Sequence, residues 1–471
     1  MTTAVVVGSG PNGLAAALTL AAEGISVRVI EAADELGGGV RSAELTLPGV
    51  VHDECSGFHP LARGSQFANR FDLEGAGLVW RFAPAEFAHP LAGATGAVAE
   101  RSVRRTAAGL GDGGARWSRL FGPLVRAFDG ISAEFTQPML HLPQHPLAMA
   151  RFGALSGLPA TVLARLLRSP EAAALYAGVA AHAFRPLTSI ASSAIGVALT
   201  TAAHAYGWPV AEGGSAAIRD AILLRCSEHD VAFETGRTVT SFADVGDADI
   251  VMLDTSPRAA VAIMGDRLPA RVRRAYTSYR HGPGVCKVDF AVEGGVPWAY
   301  DGARRAGTVH LGGTVPEMVA AERDTARGRM PDKPFVLVGQ QYLADPSRSV
   351  GNVHPIYAYA HVPAGYPGDA ANALIARIEE FAPGFRARIR GQAVRSAIGM
   401  SEHNANYVGG DIVTGANDPV QLIFRPRFTT DPYATGAPGV YLSSAATPPG
   451  AGAHGMCGYN AAVAAIRDLA R

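Results

Sequence analysis

A strand, a glycine-rich turn, a helix, a second strand and an acidic residue follow one another at the start of the chain, and this order constrains the fold most strongly. Residues 4–7 are an unbroken apolar run, which is typical of a buried strand. Residues 8–13 read Gly-Ser-Gly-Pro-Asn-Gly, and an alanine- and leucine-rich stretch follows over residues 14–23. A second strand-like stretch, residues 25–30, ends at Glu31. This order predicts a βαβ unit that opens a parallel sheet, and therefore an α/β fold.

The three glycines of the turn match GxGxxG, a pattern that binds the diphosphate of a dinucleotide when it lies between a strand and a helix. Gly8 permits the tight turn, Gly10 lets the backbone approach the diphosphate, and Gly13 lets the helix pack closely on the strand. The helix N-terminus then offers unpaired N–H groups to the phosphates. We therefore predict that this turn, with Pro11 and Asn12, binds a dinucleotide cofactor.

An acid and a second glycine cluster separate two classes of dinucleotide. Glu31 follows the glycines by about twenty residues, the spacing at which a carboxylate meets a ribose hydroxyl. Gly37 and Gly38 then precede Arg41. A simple nicotinamide dehydrogenase does not need this second cluster, so the sequence favours a flavin.

With these motifs the N-terminus resembles the flavoprotein superfamily that contains the amine oxidases and the phytoene desaturases. The resemblance implies FAD as the cofactor. It also implies that Gly37, Gly38 and Arg41 lie against the FAD diphosphate.

A glycine-rich loop near the C-terminus extends this resemblance. Residues 450–455 match GxGxxG a second time, but no strand follows to complete another βαβ unit. The stretch instead resembles the C-terminal flavin loop of phytoene desaturase-like proteins, and the absence of an acid after the preceding strand is typical of that branch. The resemblance implies that the flavin is contacted here by Ser444, Pro449, Gly452, His454, Gly455 and Met456.

A central segment supplies the remaining cofactor contacts. Residues 231–235, 237–242 and 249–254 are predicted as strands, and the resemblance implies that the backbone of Val239 contacts the adenine. We therefore predict a two-lobed flavoprotein whose Rossmann-type FAD-binding domain is discontinuous. Its predicted segments are residues 1–60, 207–275 and 398–471, and a mixed substrate-binding (cap) domain comprises residues 61–206 and 276–397.

Composition excludes several other classes of protein. The 41 basic and 41 acidic residues balance, so there is no electrostatic basis for nucleic-acid binding. The four cysteines are scattered without CxxC or metal-ligand spacing, which predicts neither a disulfide framework nor a metal site. No basic region precedes the first apolar run, so no signal peptide is predicted and a cytoplasmic location is expected.

A long uncharged stretch lies in the predicted cap domain. Between Arg185 and Glu212 the chain carries no formal charge. Frequent Ser, Thr, Gly and Ala, with Pro186 and Pro209 near the ends, argue against a membrane-spanning helix. We predict a buried helix that lines an apolar cavity, with peripheral contact to a membrane surface as the open alternative.

Two residues are candidates for catalysis. Lys287 lies on the polar face of an alternating strand, residues 285–292, and could correspond to the lysine that amine oxidases link through water to the flavin. An ordinary solvated lysine is the alternative. His59 lies in a segment, residues 53–60, that resembles the one passing under the flavin ring, so it is a candidate proton carrier, with a structural histidine as the alternative.

The function expected from these features is an FAD-dependent oxidoreductase acting on a C–H or C=C bond of a hydrophobic small molecule bound between the lobes. No second cofactor domain is visible, so the flavin is expected to be reoxidised by oxygen, a quinone, a carrier, or its own product in an isomerisation. A flavin amine oxidase acting on a C–N bond is one alternative, supported mainly by Lys287. A lipid escort protein of the same fold that has lost the flavin is the other.

Overall fold

The computed structural model describes residues 2–470. The strands are β1 Thr3–Val7, β2 Ser26–Ile30, β3 Ser42–Ala43, β4 His52–Asp53, β5 Trp80–Arg81, β6 Ala85–Leu91, β7 Thr95–Ala99, β8 Val210–Ala211, β9 Ala232–Glu234, β10 Ile250–Leu253, β11 Gly284–Glu293, β12 Ala306–Leu311, β13 Val336–Gly339, β14 Val353–Val362, β15 Ile389–Arg395 and β16 Val440–Leu442. The α-helices are α1 Pro11–Ala21, α2 Gln66–Arg70, α3 Val103–Gly109, α4 Gly114–Arg126, α5 Phe128–Phe135, α6 Pro146–Ser156, α7 Ala160–Leu166, α8 Pro170–Ala180, α9 Ser193–Ala205, α10 Ala216–Ser227, α11 Pro257–Met264, α12 Ala270–Thr277, α13 Val315–Ala326, α14 Ala371–Phe381, α15 Phe385–Arg388, α16 Ala397–His403, α17 Pro419–Phe424 and α18 Met456–Leu469.

Three distant parts of the chain build a five-stranded parallel sheet with the order β16-β10-β1-β2-β9. Two of its inner strands, β1 from Ala4 onward and β10, are continuous apolar runs, as expected when helices cover both faces of a parallel sheet. Helices α1, α10 and α18 share one apolar core with this sheet, and α11 and α12 share another. The predicted α/β fold with a Rossmann-type sheet is confirmed.

A second, mixed sheet of seven strands has the order β15-β11-β14-β13-β12-β6-β7. Strands β6 and β12 pair in parallel although more than 200 residues separate them, and most other pairs are antiparallel. One apolar core joins side chains of this sheet to helices α4, α7, α8 and α9, and another joins it to α14. Segments from both halves of the chain therefore build this second sheet and the helices that pack on it.

One predicted strand is absent. Residues 237–241 form no strand, and residues 242–245 form a short 3₁₀ turn. The Asp244 carboxylate accepts hydrogen bonds from the backbone N–H groups of Thr240 (2.9 Å) and Ser241 (2.8 Å). This capping box directs the backbone donors inward to a side chain, so they are not available to a sheet ladder.

The uncharged stretch forms α9, which is largely buried. Among residues 2–470 no single helix is long and apolar enough to cross a membrane, and the pair α6 and α7 meets the length and composition criterion only together, across a bend of 102°.

Candidate functional site

A cavity of 680 Å³ with mostly apolar walls lies next to both sheets. The N-terminal glycine turn, residues 55–61, helices α6 and α9, and strands β12, β13 and β14 all contribute to its walls. Residues 404–425 and the C-terminal loop contribute as well. Its size and apolar walls are typical of a small-molecule or cofactor site.

The glycine turn has the close contacts that its sequence predicts. Gly8 has φ +99°, and a Cβ there would lie 2.8 Å from the carbonyl oxygen of Asp254. A Cβ on Gly13 would overlap the carbonyl oxygen of Gly8, so only glycine lets α1 start this close to β1. Gly10, Pro11 and Asn12 line the cavity, whereas Gly8 and Gly13 shape the turn behind it.

The second glycine cluster packs against the first. The Gly37 N–H donates to the carbonyl oxygen of Ser9 (3.1 Å), and a Cβ on Gly38 would lie 2.9 Å from Cα of Gly10. Gly39 and Val40 line the cavity, but Gly37 and Gly38 do not. Gly37 and Gly38 therefore support the first glycine turn without forming part of the cavity wall.

Arg41 is held in a buried ionic group. Its Nε lies 3.1 Å from Glu54 Oε2, and its guanidinium is 2.8 Å from Nε2 of His403. His403 in turn contacts the same Glu54 oxygen at 3.0 Å. These two partners fix the Arg41 guanidinium, and Val40 lines the cavity whereas Arg41 does not.

Glu31, the residue directly after β2, holds the glycine turn in place through hydrogen bonds. Its Oε2 accepts hydrogen bonds from the backbone N–H of Ser9 (2.8 Å) and from Ser9 Oγ (2.7 Å). Its Oε1 accepts from the backbone N–H of Ala33 (2.9 Å). The side chain is half-buried and lies behind the cavity wall.

Asp254 is a cavity residue that the sequence reasoning missed. It follows β10 directly, it is buried, and its Oδ2 accepts the backbone N–H of Gly13 (2.9 Å). Burial, with the charge of Glu31 adding to it, raises the pKa of Asp254 from 3.8 to about 7. An acid at the carboxyl end of a central parallel strand was a usable signal, because ligands bind at that edge.

The C-terminal loop forms the wall next to the glycine turn. Ser444, Pro449, Gly452 and His454 line the cavity. The His454 Nδ1 accepts the backbone N–H of Met456 (3.1 Å), and burial lowers the pKa of His454 to about 4. The imidazole is therefore neutral at physiological pH.

Gly455 and Met456 lie at the start of α18, behind the cavity wall. Gly455 has φ +71°, and a Cβ there would lie 2.6 Å from the Phe67 ring. A Cβ on Gly458 would overlap the carbonyl oxygen of Asn12, so α18 packs directly on the first turn of α1. This close packing brings the loop to the glycine turn.

Comparison with known proteins agrees with this architecture. Residues 6–72 match the model of an NAD(P)-binding Rossmann-like domain, and the comparison with curated proteins finds no match. An oxidoreductase from Methanosarcina mazei shares 13% identity with a TM-score of 0.60, covering 100% of both chains. Putrescine oxidase bound to putrescine shares 16% with a TM-score of 0.60, covering 100% of this chain and 99% of that one. Cyclohexylamine oxidase from Brevibacterium oxydans IH-35A shares 16% with a TM-score of 0.59, covering 100% of both chains.

The chain has the amine oxidase fold. The resemblance inferred from the two glycine motifs is thus confirmed at the level of the fold. The three solved structures named above are oxidoreductases, and at these identities the likeness extends to the fold alone.

Within this fold, Lys287 lies on the predicted polar face of β11 beside Asp289, and its candidate role at the flavin stays a prediction. The side chain is 2% exposed, forms an ion pair with Asp289, and does not line the cavity. Its Nζ lies 4.7 Å from the centroid of the Tyr357 ring, which does line the cavity. The solvated alternative is wrong, because β11 is covered on both faces. One residue, Tyr357, therefore connects the buried ammonium to the cavity wall.

His59 is also displaced from the cavity, although its neighbours Phe58 and Pro60 line it. Its Nδ1 is 3.3 Å from Ser56 Oγ and its Nε2 is 3.2 Å from Ser215 Oγ. Burial lowers the pKa of His59 to about 4. These contacts support the structural alternative rather than proton transfer to a bound molecule.

Val239 lies in the irregular segment that replaces the predicted strand. It is half-buried against the core that α11 and α12 share with the parallel sheet, and it does not line the cavity. The adenine contact that the resemblance implies for the backbone of Val239 stays a prediction.

A buried ionic network was also missed by sequence reasoning. Arg348 is 1% exposed and pairs with Asp53 at 2.6 Å and with Asp345 at 3.1 Å. Asp53 also accepts the backbone N–H of Ser215 at 2.7 Å. The network fixes the residues just before the cavity-lining segment 55–61, and nothing local in the sequence pairs residues so far apart.

Proposed function

We propose that the chain is an FAD-dependent oxidoreductase that acts on a C–H or C=C bond of a hydrophobic small molecule. The observation that carries the proposal is one cavity whose walls combine the N-terminal glycine turn, the C-terminal loop and the apolar helix α9. A flavin enzyme with an apolar substrate needs a dinucleotide-binding motif and an apolar substrate chamber that open into the same cavity.

The residues at the turn fit the diphosphate and ribose of FAD. Asn12 lines the cavity, and its buried Oδ1, which has no hydrogen-bond partner among residues 2–470, can accept a hydroxyl of the cofactor. In the first turn of α1, Pro11 has no N–H and the Gly13 N–H donates to Asp254, which leaves the backbone N–H of Asn12 to meet an anion. Glu31 lies at the end of β2, where it could accept a ribose hydroxyl in addition to its present contacts.

The C-terminal loop is the proposed contact surface of the flavin ring. Pro449, Gly452 and His454 present a short, neutral surface to the cavity. When bound, the flavin would supply hydride transfer. In this proposal residues 1–60, 207–275 and 398–471 form the FAD-binding domain, and residues 61–206 and 276–397 form the cap domain.

The protein's own contribution is orientation and exclusion of water. Ala198 and Leu199 of α9 line the cavity together with Phe184 and Leu337. Such walls favour an apolar substrate through burial of its surface and keep solvent from the reacting bond.

The second candidate is an amine oxidase. Two tyrosines on the cavity wall, Tyr357 and Tyr359, have ring centroids 5.9 Å apart at 84°, an arrangement that offers aromatic faces to an amine. Lys287 could support this candidate only through a link by water, because it is paired with Asp289 and does not line the cavity itself.

Substrate entry from a membrane surface is part of the proposal. Leu142, Leu147, Val420 and Phe428 are large apolar side chains with 94%, 87%, 60% and 77% of their surface exposed. They lie on or beside α6 and α17, whose other residues line the cavity. An apolar exterior next to an apolar cavity suits peripheral membrane contact. Oxygen, a quinone or a carrier is the proposed electron acceptor.

The absorbance spectrum of the purified protein tests the proposal. We expect flavin absorbance that is released on denaturation and co-elutes with FAD rather than FMN. Anaerobic reduction by apolar donors, compared with small amines, then separates the two enzymatic candidates. A colourless protein that takes up no added FAD would contradict both and favour a lipid escort protein.

A further inference from the structure

Two histidines share a hydrogen bond at the cavity wall. His182 lies in the short 3₁₀ turn after α8, is half-buried and lines the cavity. Its Nε2 lies 2.9 Å from Nε2 of His310, which is fully buried on β12. Two nitrogens at this distance share one hydrogen, so one imidazole donates and the other accepts.

Both imidazoles are neutral. Burial lowers the pKa of His182 to about 3 and holds the pKa of His310 well below its ordinary value. The nearest titratable groups, His89 and His361, are imidazoles as well. No group of three metal-ligating side chains converges among residues 2–470, so the pair is not part of such a cluster.

The surroundings of His310 decide which nitrogen carries the hydrogen. Its Nδ1 is buried and has no partner among residues 2–470. Buried N–H groups without an acceptor are rarer than unpaired acceptors, so His310 carries its hydrogen on Nε2 and donates it to His182. His182 must then carry its own hydrogen on Nδ1. That atom has no acceptor within the described chain and is not enclosed by protein.

A second donor lies beside this one. Thr308 is two residues before His310 on β12, so both side chains are on the same face of the strand. Thr308 lines the cavity, and its Oγ1 accepts the Nε1–H of Trp208 (3.0 Å). The threonine hydroxyl hydrogen is therefore available to a bound molecule. The Trp208 and His182 rings are 6.1 Å apart.

We propose that His182, oriented by His310, and Thr308 form a donor site for a carbonyl oxygen on an otherwise apolar substrate. The inference rests on the proposed function, which places an apolar substrate in this cavity. A carboxylate does not suit the site, because neutral donors do not offset a buried charge. An ammonium group does not suit it either, because it needs acceptors rather than donors.

A matched pair of probes tests the site on the protein as purified. The probes are 4-phenyl-2-butanone and butylbenzene, which differ mainly by the carbonyl oxygen, and their dissociation constants are measured by quenching of tryptophan fluorescence. We expect His182→Phe to reduce the preference for the ketone by about 3- to 10-fold, the value of one hydrogen bond, with butylbenzene affinity unchanged. Thr308→Val should reduce the preference independently.

Ser156→Ala is the matched control, because Ser156 lines the same cavity on a different element, α6. It should leave the ketone preference unchanged. Nitrogen-15 spectra of histidine-labelled protein should show a signal with the Nδ1–H tautomer that is absent from His182→Phe. An unchanged preference in both His182→Phe and Thr308→Val, or an Nε2–H tautomer for His182, would overturn the proposal.

Failure of this site and failure of the proposed function give different results. The binding measurement needs neither flavin nor turnover. A protein without FAD that retains the histidine-dependent preference contradicts only the oxidoreductase function. A yellow protein without that preference contradicts only the donor site.

Discussion

At the scale of single residues, Asp254 connects the glycine turn to the cavity. Its carboxylate accepts the Gly13 N–H and occupies space that a Cβ on Gly10 would fill, 2.7 Å from Oδ2. An acid so close to the expected diphosphate would repel it when ionised. Protonation of Asp254 should therefore govern both stability and cofactor retention.

The pH dependence of stability follows from this carboxyl group. Its folded pKa of about 7 exceeds its ordinary value of 3.8, so its stabilising contribution is complete below about pH 4 and is lost as the pH rises through 7. Asp254→Asn should remove this loss and raise the free energy of unfolding at pH 8 by roughly 1–3 kcal/mol. Urea unfolding at several pH values checks this, with the exposed Asp266→Asn as control. Parallel pH profiles for wild type and Asp254→Asn would contradict the assignment.

The absolute requirement for glycine at position 13 gives a second prediction. Because a Cβ there overlaps the Gly8 carbonyl, Gly13→Ala should lower the free energy of unfolding by roughly 1–3 kcal/mol. Gly109→Ala, where a Cβ meets no atom within 4 Å, should be neutral or slightly stabilising. Urea unfolding of the two variants measures the difference. Equal stabilities would show that α1 does not approach β1 as described.

Sequence reasoning succeeds at residues whose role is local. Gly13 is explained by the carbonyl oxygen of Gly8 in the same turn, and the positive φ of Gly8 is a property of the turn itself. Asp254 escaped prediction because its importance depends on β10 pairing with β1, about 250 residues away along the chain. The burial of Lys287 escaped prediction for a similar reason, since it depends on Tyr357 and on the segment of His52 and Cys55, more than 200 residues away along the chain.

At the scale of secondary-structure elements, long-range pairing decides what the sequence leaves open. The strands of the parallel sheet were predicted because their apolar runs are continuous. The pairing of β6 with β12 has no local signal in either strand. Residues 237–242 carry strand-forming residues, but the Asp244 capping box overrides that propensity.

The buried ion pair on β11 gives a prediction at this scale. Lys287→Met would leave Asp289 buried without its partner, and we expect a loss of roughly 3–5 kcal/mol in the free energy of unfolding. Lys333→Met is the matched control, because Lys333 is 60% exposed in its pair with Glu380 and should contribute less than about 1 kcal/mol. Thermal and urea unfolding of both variants measure this. A Lys287→Met protein as stable as wild type, with a large loss of flavin reduction rate, would instead support a role at the cofactor.

At the scale of the whole molecule, apolar exterior side chains beside the cavity predict membrane contact. Replacing both Leu142 and Leu147 by Ser should reduce co-sedimentation with phosphatidylcholine vesicles severalfold. Each leucine side chain is exposed, and burying it in the membrane surface would contribute up to roughly 1.5–3 kcal/mol of binding free energy. Leu224→Ser and Leu469→Ser, at exposed positions outside α6 and α17, serve as controls. Wild-type protein that stays in the supernatant would contradict this part of the proposal.

The whole molecule also brings its two ends together. Helix α18 packs on the first turn of α1, so the C-terminal loop and the N-terminal glycine turn become neighbouring walls of one cavity. The sequence motifs predicted both elements, and the amine oxidase fold explains how they meet. The substrate end of the cavity depends on α9 and β12, whose contributions emerge only from packing.

A crystal structure of the protein with FAD tests the central claim most directly. We expect the diphosphate beside Gly10, Pro11 and Asn12, with the flavin ring against the loop from Pro449 to His454. The remaining apolar space should lie along α9. An FAD molecule bound elsewhere, or a cavity that stays empty at saturating FAD, would contradict the account.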